Sequence, residues 1–559
     1  MPNATLSSVI LPDLIPLCRK ALDNIDHVMA AARARVSTMV TSDGQLNSAA
    51  FEKYQHAAHG FAWYETYAQG LRQTLQWAEQ LKQQKSFSFL EQLILQIAFG
   101  EYTAQLWGGV PISASEMVRP HDLGLSDEDL AQSNSSAVQT ILKNANTPAA
   151  RHALIELITE SQRQTFGERG IDDEILVLAR NQFARFVDEQ IIPEAQSWHL
   201  NNELIPLETI SRMAELGLFG LTLPEAKGGL GLGKIAMSVI TEELSRGSLA
   251  VGSLSTRSEI AAELIIAHGT EQQQEKYLPK LASGEIMPTA VFTEPDVGSD
   301  LASLKTRAVR KDGAYTITGN KTWATHGARA DLMTLLVRTG KPEDGYKGLS
   351  MFLAEKPRGT DIDSFPAAGM NGHEIEVLGY RGMKEYEIAF DNFIVPADAL
   401  LGGVEGQGFK QLMATFETAR IQTAARAVGV AQSALELAFQ YAEDRMQFGK
   451  PLAAFPRISD KLAMMTVETM MARQLTYFAA REKDSHKRCD IEAGMAKLLA
   501  ARVAWTNADS AMQAFGGMGY ALETPISRVL CDARILSIFE GTAEIQAQII
   551  ARGLLQKRN

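Results

Sequence analysis

Cysteine is scarce in this chain: three in 559 residues, Cys18, Cys489 and Cys531, far apart and without a CxxC or Cys/His cluster. That excludes a disulfide framework and a zinc site, and leaves buried free thiols as the reading. Long apolar runs are missing too, none approaching the ~18 residues a membrane helix needs. Met1 to Lys20 has neither the basic start nor the cleavable apolar stretch of a secretory leader, so a cytoplasmic protein that does not bind membranes is expected. Positive charge is in deficit, with 54 Lys and Arg against 66 Asp and Glu, a net −12. Such a balance repels phosphodiester backbones, so nucleic acid is not an expected partner. Nothing marks disorder, since the charged fraction is 21% and the hydrophobic fraction 45%. Single cores stop growing at about 250 to 300 residues, so several domains are expected.

Residues 1 to about 120 repeat apolar side chains at helical spacing, as in Tyr64, Tyr67, Leu71 and Leu75, then Leu90, Leu93, Ile94 and Ile97. A helical bundle follows, with Trp63, Trp77 and Trp107 as core or interface residues. Ser126 to Pro148, rich in turn formers, reads as a linker. Helical spacing returns from Asp172 to about Met287, broken by the glycine-rich Lys227 to Gly233. Gly228, Gly233 and Lys234 fit the start of a P-loop, but Ile235 stands where a Ser or Thr must reach magnesium, so this is a surface turn. Between about Pro288 and Leu400 the pattern turns to short β stretches, Tyr315 to Thr318, Met333 to Val337 and Ser350 to Leu353, with Asp312-Gly313 as a turn. After Gly402-Gly403 the chain is helical to its end.

The most specific feature is a set of segments in fixed order: Thr293-Glu294-Pro295-Asp296-Val297-Gly298-Ser299-Asp300, Lys321-Thr322-Trp323-Ala324-Thr325, Arg445-Met446-Gln447-Phe448-Gly449-Lys450, Gln513-Ala514-Phe515-Gly516-Gly517-Met518-Gly519-Tyr520 and Phe539-Glu540-Gly541-Thr542-Ala543-Glu544-Ile545-Gln546. With these segments the chain from about residue 170 onward resembles the acyl-CoA dehydrogenases. The resemblance implies a mainly α fold with a central β domain clasped between two helical domains, preceded here by an extra N-terminal helical domain. The expected divisions are 1–165 for the extension and linker, 166–287, 288–400 for a barrel-like β domain, and 401–559 for a four-helix domain.

The implied reaction removes an α and a β hydrogen from an acyl thioester. No side chain accepts hydride, so a cofactor is required, and the family's is FAD. By resemblance Glu540 is the base; its carboxyl suits the task if burial among neighbours such as Ile538 and Phe539 tunes it. The enolate oxygen should receive the backbone N–H of Glu540 and a ribityl hydroxyl of the flavin. FAD is expected on Phe292, Thr293, Ser299, Trp323, Thr325, Arg445, Gln447, Phe448, Gln513, Gly516, Gly517, Thr542, Glu544 and Gln546, where glycines admit the pyrophosphate and Arg445 offers it a planar cation. Because the family dimerises with FAD crossing the interface, Arg445 and Gln513 should serve the neighbouring subunit of a homodimer. Acyl-CoA is expected on Ser299, Arg257, Glu417, Arg420 and Gly541, although the family usually has Asp where Glu417 stands. No metal ligand is expected.

Arg257 stands in Gly252 to Leu264, where straight-chain enzymes have small or apolar residues. It fits an acyl tail ending in a carboxylate; pairing with Glu259 or pointing to solvent is the alternative. His326 either faces the ligand or makes a structural hydrogen bond. The extension, with Ala62-Trp63-Tyr64-Glu65-Thr66, Leu71-Arg72-Gln73 and Trp107-Gly108-Gly109, is similar to that of the family branch acting on a short branched dicarboxylic thioester. This implies (2S)-methylsuccinyl-CoA going to mesaconyl-CoA in the ethylmalonyl-CoA pathway, with electron-transferring flavoprotein as acceptor. Another short branched acyl-CoA, an acyl-CoA oxidase and a non-catalytic DNA-binding or assembly relative are the competing readings.

Overall fold

The computed structural model describes residues 8–360 and 362–556. The first seven residues of the expected extension and the last three of the C-terminal domain lie outside them. The chain divides into two compact units, Met1–Asn181 with Thr423–Asn559, and Gln182–Gln422.

In the first unit the extension forms the helices Leu14–Val40, Gln55–Gln83 and Phe89–Gly108. The last is bounded as the sequence dictates: Ser88 and Glu91 make a capping box at its start, and Gly109, at φ +137°, ends it. Tyr64, Tyr67, Leu71 and Leu75 share one buried face, and Trp63 and Trp77 are buried with them. The expected linker at Ser126 to Pro148 is corrected by the structure. Its turn formers are caps: Ser126, Ser135 and Thr147 each accept a backbone N–H at the start of the helices Asp127–Gln132, Ser136–Asn144 and Pro148–Glu160. Val138, Ile141, Leu154 and Ile158 then bury an apolar face that a linker would not have.

This extension packs on the C-terminal helices Pro456–Asp484, Asp490–Phe515 and Ala543–Leu555. Gly70 lets the helices come close, since a Cβ there would lie 2.3 Å from the Met471 side chain, which would have to shift. Polar ties cross the seam. Tyr102 donates to Glu468 at 3.1 Å, Arg502 reaches Glu468 at 2.8 Å and Tyr102 at 2.6 Å, and Arg151 pairs with Asp460 at 2.7 Å. Phe166 meets Phe439 edge-on with ring centroids 5.6 Å apart.

The second unit has helices Lys234–Gly247, Leu249–His268 and Glu271–Ala282 and a seven-stranded sheet. The sheet runs Met370–Ile375, Glu385–Pro396, Ala314–Lys321, Arg307–Lys311, Leu332–Arg338, Pro288–Val291, with Leu349–Glu355 also paired to Leu332–Arg338. The three expected strands fall within Ala314–Lys321, Leu332–Arg338 and Leu349–Glu355. Alternate residues Tyr315 and Ile317 enter the core with Ile388, Phe390 and Phe352. A bulge between Phe390 and Phe393 re-aims the longest strand. Lys234, the lysine of the rejected P-loop, is turned inward onto Glu259 and onto Glu263 at 2.6 Å. Among the described residues no helix is long and apolar enough to cross a membrane.

Candidate active site

Glu540 lies in the first unit, in the loop between the helices Pro525–Ile535 and Ala543–Leu555. Its backbone is left-handed, φ +52°, and Gly541 follows at φ +88°. Such a conformation is uncommon for a non-glycine residue and persists only where the surroundings impose it. Thr542 caps the next helix by accepting the N–H of Ile545 at 3.3 Å. The Glu540 side chain is 14% exposed, and its Oε2 accepts Arg426 Nη2 at 2.7 Å and the Thr423 hydroxyl. Arg426 is fully buried, donates also to Thr423 at 2.9 Å, and lies over the Phe539 ring at 5.0 Å. Behind the loop, Lys497 Nζ donates to Gly541 O at 2.5 Å, and Gln546 Nε2 reaches Gly541 O at 3.1 Å and Glu540 O at 3.3 Å.

Three other candidate groups of this unit stand open on its surface. Arg445, Gln447 and Phe448 lie on the small hairpin of Met446–Gln447 and Lys450–Pro451, with Phe448 92% exposed at its tip. Gln513 is exposed near the end of helix Asp490–Phe515, and Gly516 and Gly517 follow in a 3-10 turn with empty space where a Cβ would be. Glu544 is exposed, whereas Gln546 is wholly buried against the base loop.

In the second unit the two signature segments are tied to each other. Thr322 N–H donates to Thr293 O at 2.9 Å. The buried Lys321 Nζ donates to Phe292 O at 2.8 Å and to Glu294 at 3.1 Å, while Glu294 also accepts the N–H groups of Lys305 and Thr306. Burial tends to raise the Glu294 carboxyl, but Lys321 and these N–H groups outweigh it and hold it below the usual range; burial draws Lys321 down to about 8 despite its partner. Phe292 and Thr293 are thereby fixed half-buried, while Ser299 and Trp323 stay exposed, the indole on a residue at φ +58°.

Arg257, on helix Leu249–His268, donates to the Thr325 hydroxyl at 3.2 Å, and Thr325 donates to the buried Glu385 at 2.8 Å. Glu259 is bound instead to Lys234 and to the Thr222 hydroxyl. Arg257 therefore does not take the sequence alternative of pairing with Glu259. His326 is buried; desolvation, then the cation of Arg329, pushes it down to about 3, so the ring is neutral. On helix Gly408–Asp444, Glu417 is half-buried and Arg420 is buried with its guanidinium 5.6 Å from the Phe416 ring centre.

Sequence reasoning missed Arg426, Thr423 and Lys497. A signal existed for two of them: an arginine inside the apolar run Ala424 to Val430, and a lysine inside Ala493 to Ala501, are charges on faces that must be buried and so need partners. Thr423 carried none. Chemically, the first unit offers a carboxylate with a neighbouring cation and, apart from it, an open glycine turn and the exposed Arg445, which suit phosphate; the second unit offers the open Trp323 indole, which suits a flat ring.

The sequence matches the family descriptions "Acyl-CoA dehydrogenase, N-terminal domain" over residues 175–285, "middle domain" over 289–393 and "C-terminal domain" over 406–555. It is 58% identical over 547 residues to (2S)-methylsuccinyl-CoA dehydrogenase of Cereibacter sphaeroides, covering 98% of this chain and 99% of that protein. Butyryl-CoA dehydrogenase of Megasphaera elsdenii superposes with a TM-score of 0.65 at 32% identity, over 68% of this chain and 98% of that one. A chain from structural work on the electron transferring flavoprotein of Acidaminococcus fermentans gives 0.65 at 31% identity, over 69% and 99%. The protein belongs to the acyl-CoA dehydrogenase family and is an oxidoreductase acting on acyl-CoA.

Proposed function

We propose that this chain is a cytoplasmic, homodimeric, FAD-dependent dehydrogenase that converts (2S)-methylsuccinyl-CoA to mesaconyl-CoA in the ethylmalonyl-CoA pathway and passes electrons to electron-transferring flavoprotein. The relative of that name is similar along the whole chain, extension included. The observation that carries the substrate class is the buried Arg426 touching Glu540. The base must reach the α hydrogen, and in methylsuccinyl-CoA the free carboxylate is attached to the β carbon, next to the α carbon. A cation in contact with the base is therefore within reach of that carboxylate, and a monocarboxylic tail gives it nothing to bind.

FAD, when bound, supplies the hydride acceptor for the β hydrogen. Phe292, Thr293, Ser299, Trp323, Thr325, Thr542 and Glu544 are the residues that would hold it. Arg445, Gln447, Phe448, Gln513, Gly516 and Gly517 would serve the neighbouring subunit's. Glu540 takes the α proton. Arg426 occupies the Glu540 carboxylate at rest; when the substrate's carboxylate takes the guanidinium, Glu540 is released to work. The Glu540 N–H donates to the thioester oxygen as negative charge develops there. Ser299, Glu417, Arg420 and Gly541 would contact the CoA thioester or orient the base loop, and Arg257 is the second cation for the tail.

Anaerobic titration with methylsuccinyl-CoA beside butyryl-CoA tests this reading. The purified protein should be yellow, and methylsuccinyl-CoA should bleach it far faster. Equal or faster bleaching by butyryl-CoA would overturn the dicarboxylic assignment.

A further inference from the structure

The loop that carries Glu540 is gripped from behind. Glu540 and Gly541 are consecutive left-handed residues, which turn the carbonyls of both towards the helices Asp490–Phe515 and Ala543–Leu555. Lys497, from the first helix, takes Gly541 O at 2.5 Å; Gln546, from the second, takes Gly541 O at 3.1 Å and Glu540 O at 3.3 Å. Both side chains are 0% exposed. The two helices are closely packed, since a Cβ on Gly494 would lie 3.1 Å from Ile550. Gly541 suits the same fit: its φ of +88° disfavours any side chain, and a Cβ there would sit 2.4 Å from Gln546 Nε2 and displace it. Burying a lysine is costly, so a lysine inside an apolar helix face and bound to one loop carbonyl marks a conformation that the fold enforces.

We propose that Lys497 and Gln546 are positioning residues for the base: together they fix the peptide planes on both sides of Gly541 and so aim the Glu540 carboxylate and its N–H. This rests on Glu540 being the base. The Arg426 contact is exchanged when substrate binds, whereas the grip on the backbone stays through the cycle. It also gives Gln546 a role on the loop in place of its expected role on FAD. Misplacing a reacting group by about 1 Å costs on the order of 100-fold in rate, so a loosened loop is expected to show in the proton-transfer step.

The test uses full-length, FAD-loaded Lys497→Met and Gln546→Leu. Two rates are measured: turnover per bound flavin, and exchange of the substrate's α hydrogen in D2O without an electron acceptor, followed by NMR. Both should fall at least tenfold in each variant, with KM and FAD affinity within about threefold of the parent. The double variant should be little worse than the poorer single one, because both donors hold the same carbonyl. Unchanged exchange and turnover with only a lower melting temperature would overturn the proposal, as would lost FAD affinity with turnover per flavin intact. If Lys497→Met does not fold, Gln546→Leu decides alone, since it removes a donor from both carbonyls. Glu540→Gln separates the premises: if it keeps exchange, the base assignment fails; if it loses exchange while the other two keep it, the grip alone fails.

Discussion

Replacing Arg426 by Met should convert a dicarboxylic preference into indifference. The guanidinium is wholly buried and 2.7 Å from Glu540, and the Met side chain fills a similar volume without charge. Removing one partner of a buried ion pair costs about 3 to 5 kcal/mol, which at about 1.4 kcal/mol per decade is roughly 140- to 4,000-fold. If Arg426 serves the substrate's carboxylate, that loss appears in kcat/KM for methylsuccinyl-CoA. Butyryl-CoA has no carboxylate to lose a partner, and Glu540 keeps the Thr423 hydroxyl, so its kcat/KM should change by less than about tenfold. Steady-state rates with a dye acceptor, normalised to bound flavin, measure both. A loss of the same size for the two substrates would show that Arg426 acts only on the base, and no loss would remove it from the site altogether.

Arg257→Ala should likewise weaken a dicarboxylic thioester more than a monocarboxylic one of equal length; equal losses would leave Arg257 as no more than a partner of Thr325. His326 is held at about 3 in the folded protein against an ordinary 6.5, so the unfolded chain binds the extra proton and stability falls as pH drops from 6.5 towards 3. Urea unfolding at pH 6.5 and 5.5 should show a fall that is smaller in His326→Gln by about 1 kcal/mol, and an identical pH dependence in both proteins would refute the assignment. The extension covers helix Pro456–Asp484, so light scattering should find a full-length dimer, and removal of residues 1–165 should expose apolar surface around Met471 and cause aggregation or higher assembly. A full-length tetramer, or a soluble truncated dimer, would contradict this.

The helical and β regions were legible because their signals are periodic. Tyr64, Tyr67, Leu71 and Leu75 lie on one buried face of one helix, and the strand over Tyr315 to Thr318 appears with its alternation intact. The linker over Ser126 to Pro148 was misread for a chemical reason: Ser and Thr stop helices and also cap them, and composition cannot tell the two uses apart. The segment carrying Glu540 was found through resemblance, not periodicity. What encloses it was hidden, because Arg426 and Lys497 lie 114 and 43 residues upstream on other helices and meet the loop only through tertiary packing. Arg257 shows the same limit. Its neighbour Glu259 looked like a partner, but on a helix residues two apart do not face each other, and Glu259 turns instead to Lys234.

The central claim is that Glu540 takes the α proton of an acyl-CoA. Glu540→Gln keeps the side-chain shape and its neighbours but cannot accept that proton, so the variant should remain yellow and bind FAD as the parent does. Stopped-flow reduction of its flavin by methylsuccinyl-CoA should be slower by about 100-fold to 10,000-fold, the usual worth of a positioned general base. Reduction within tenfold of the parent rate would contradict the account.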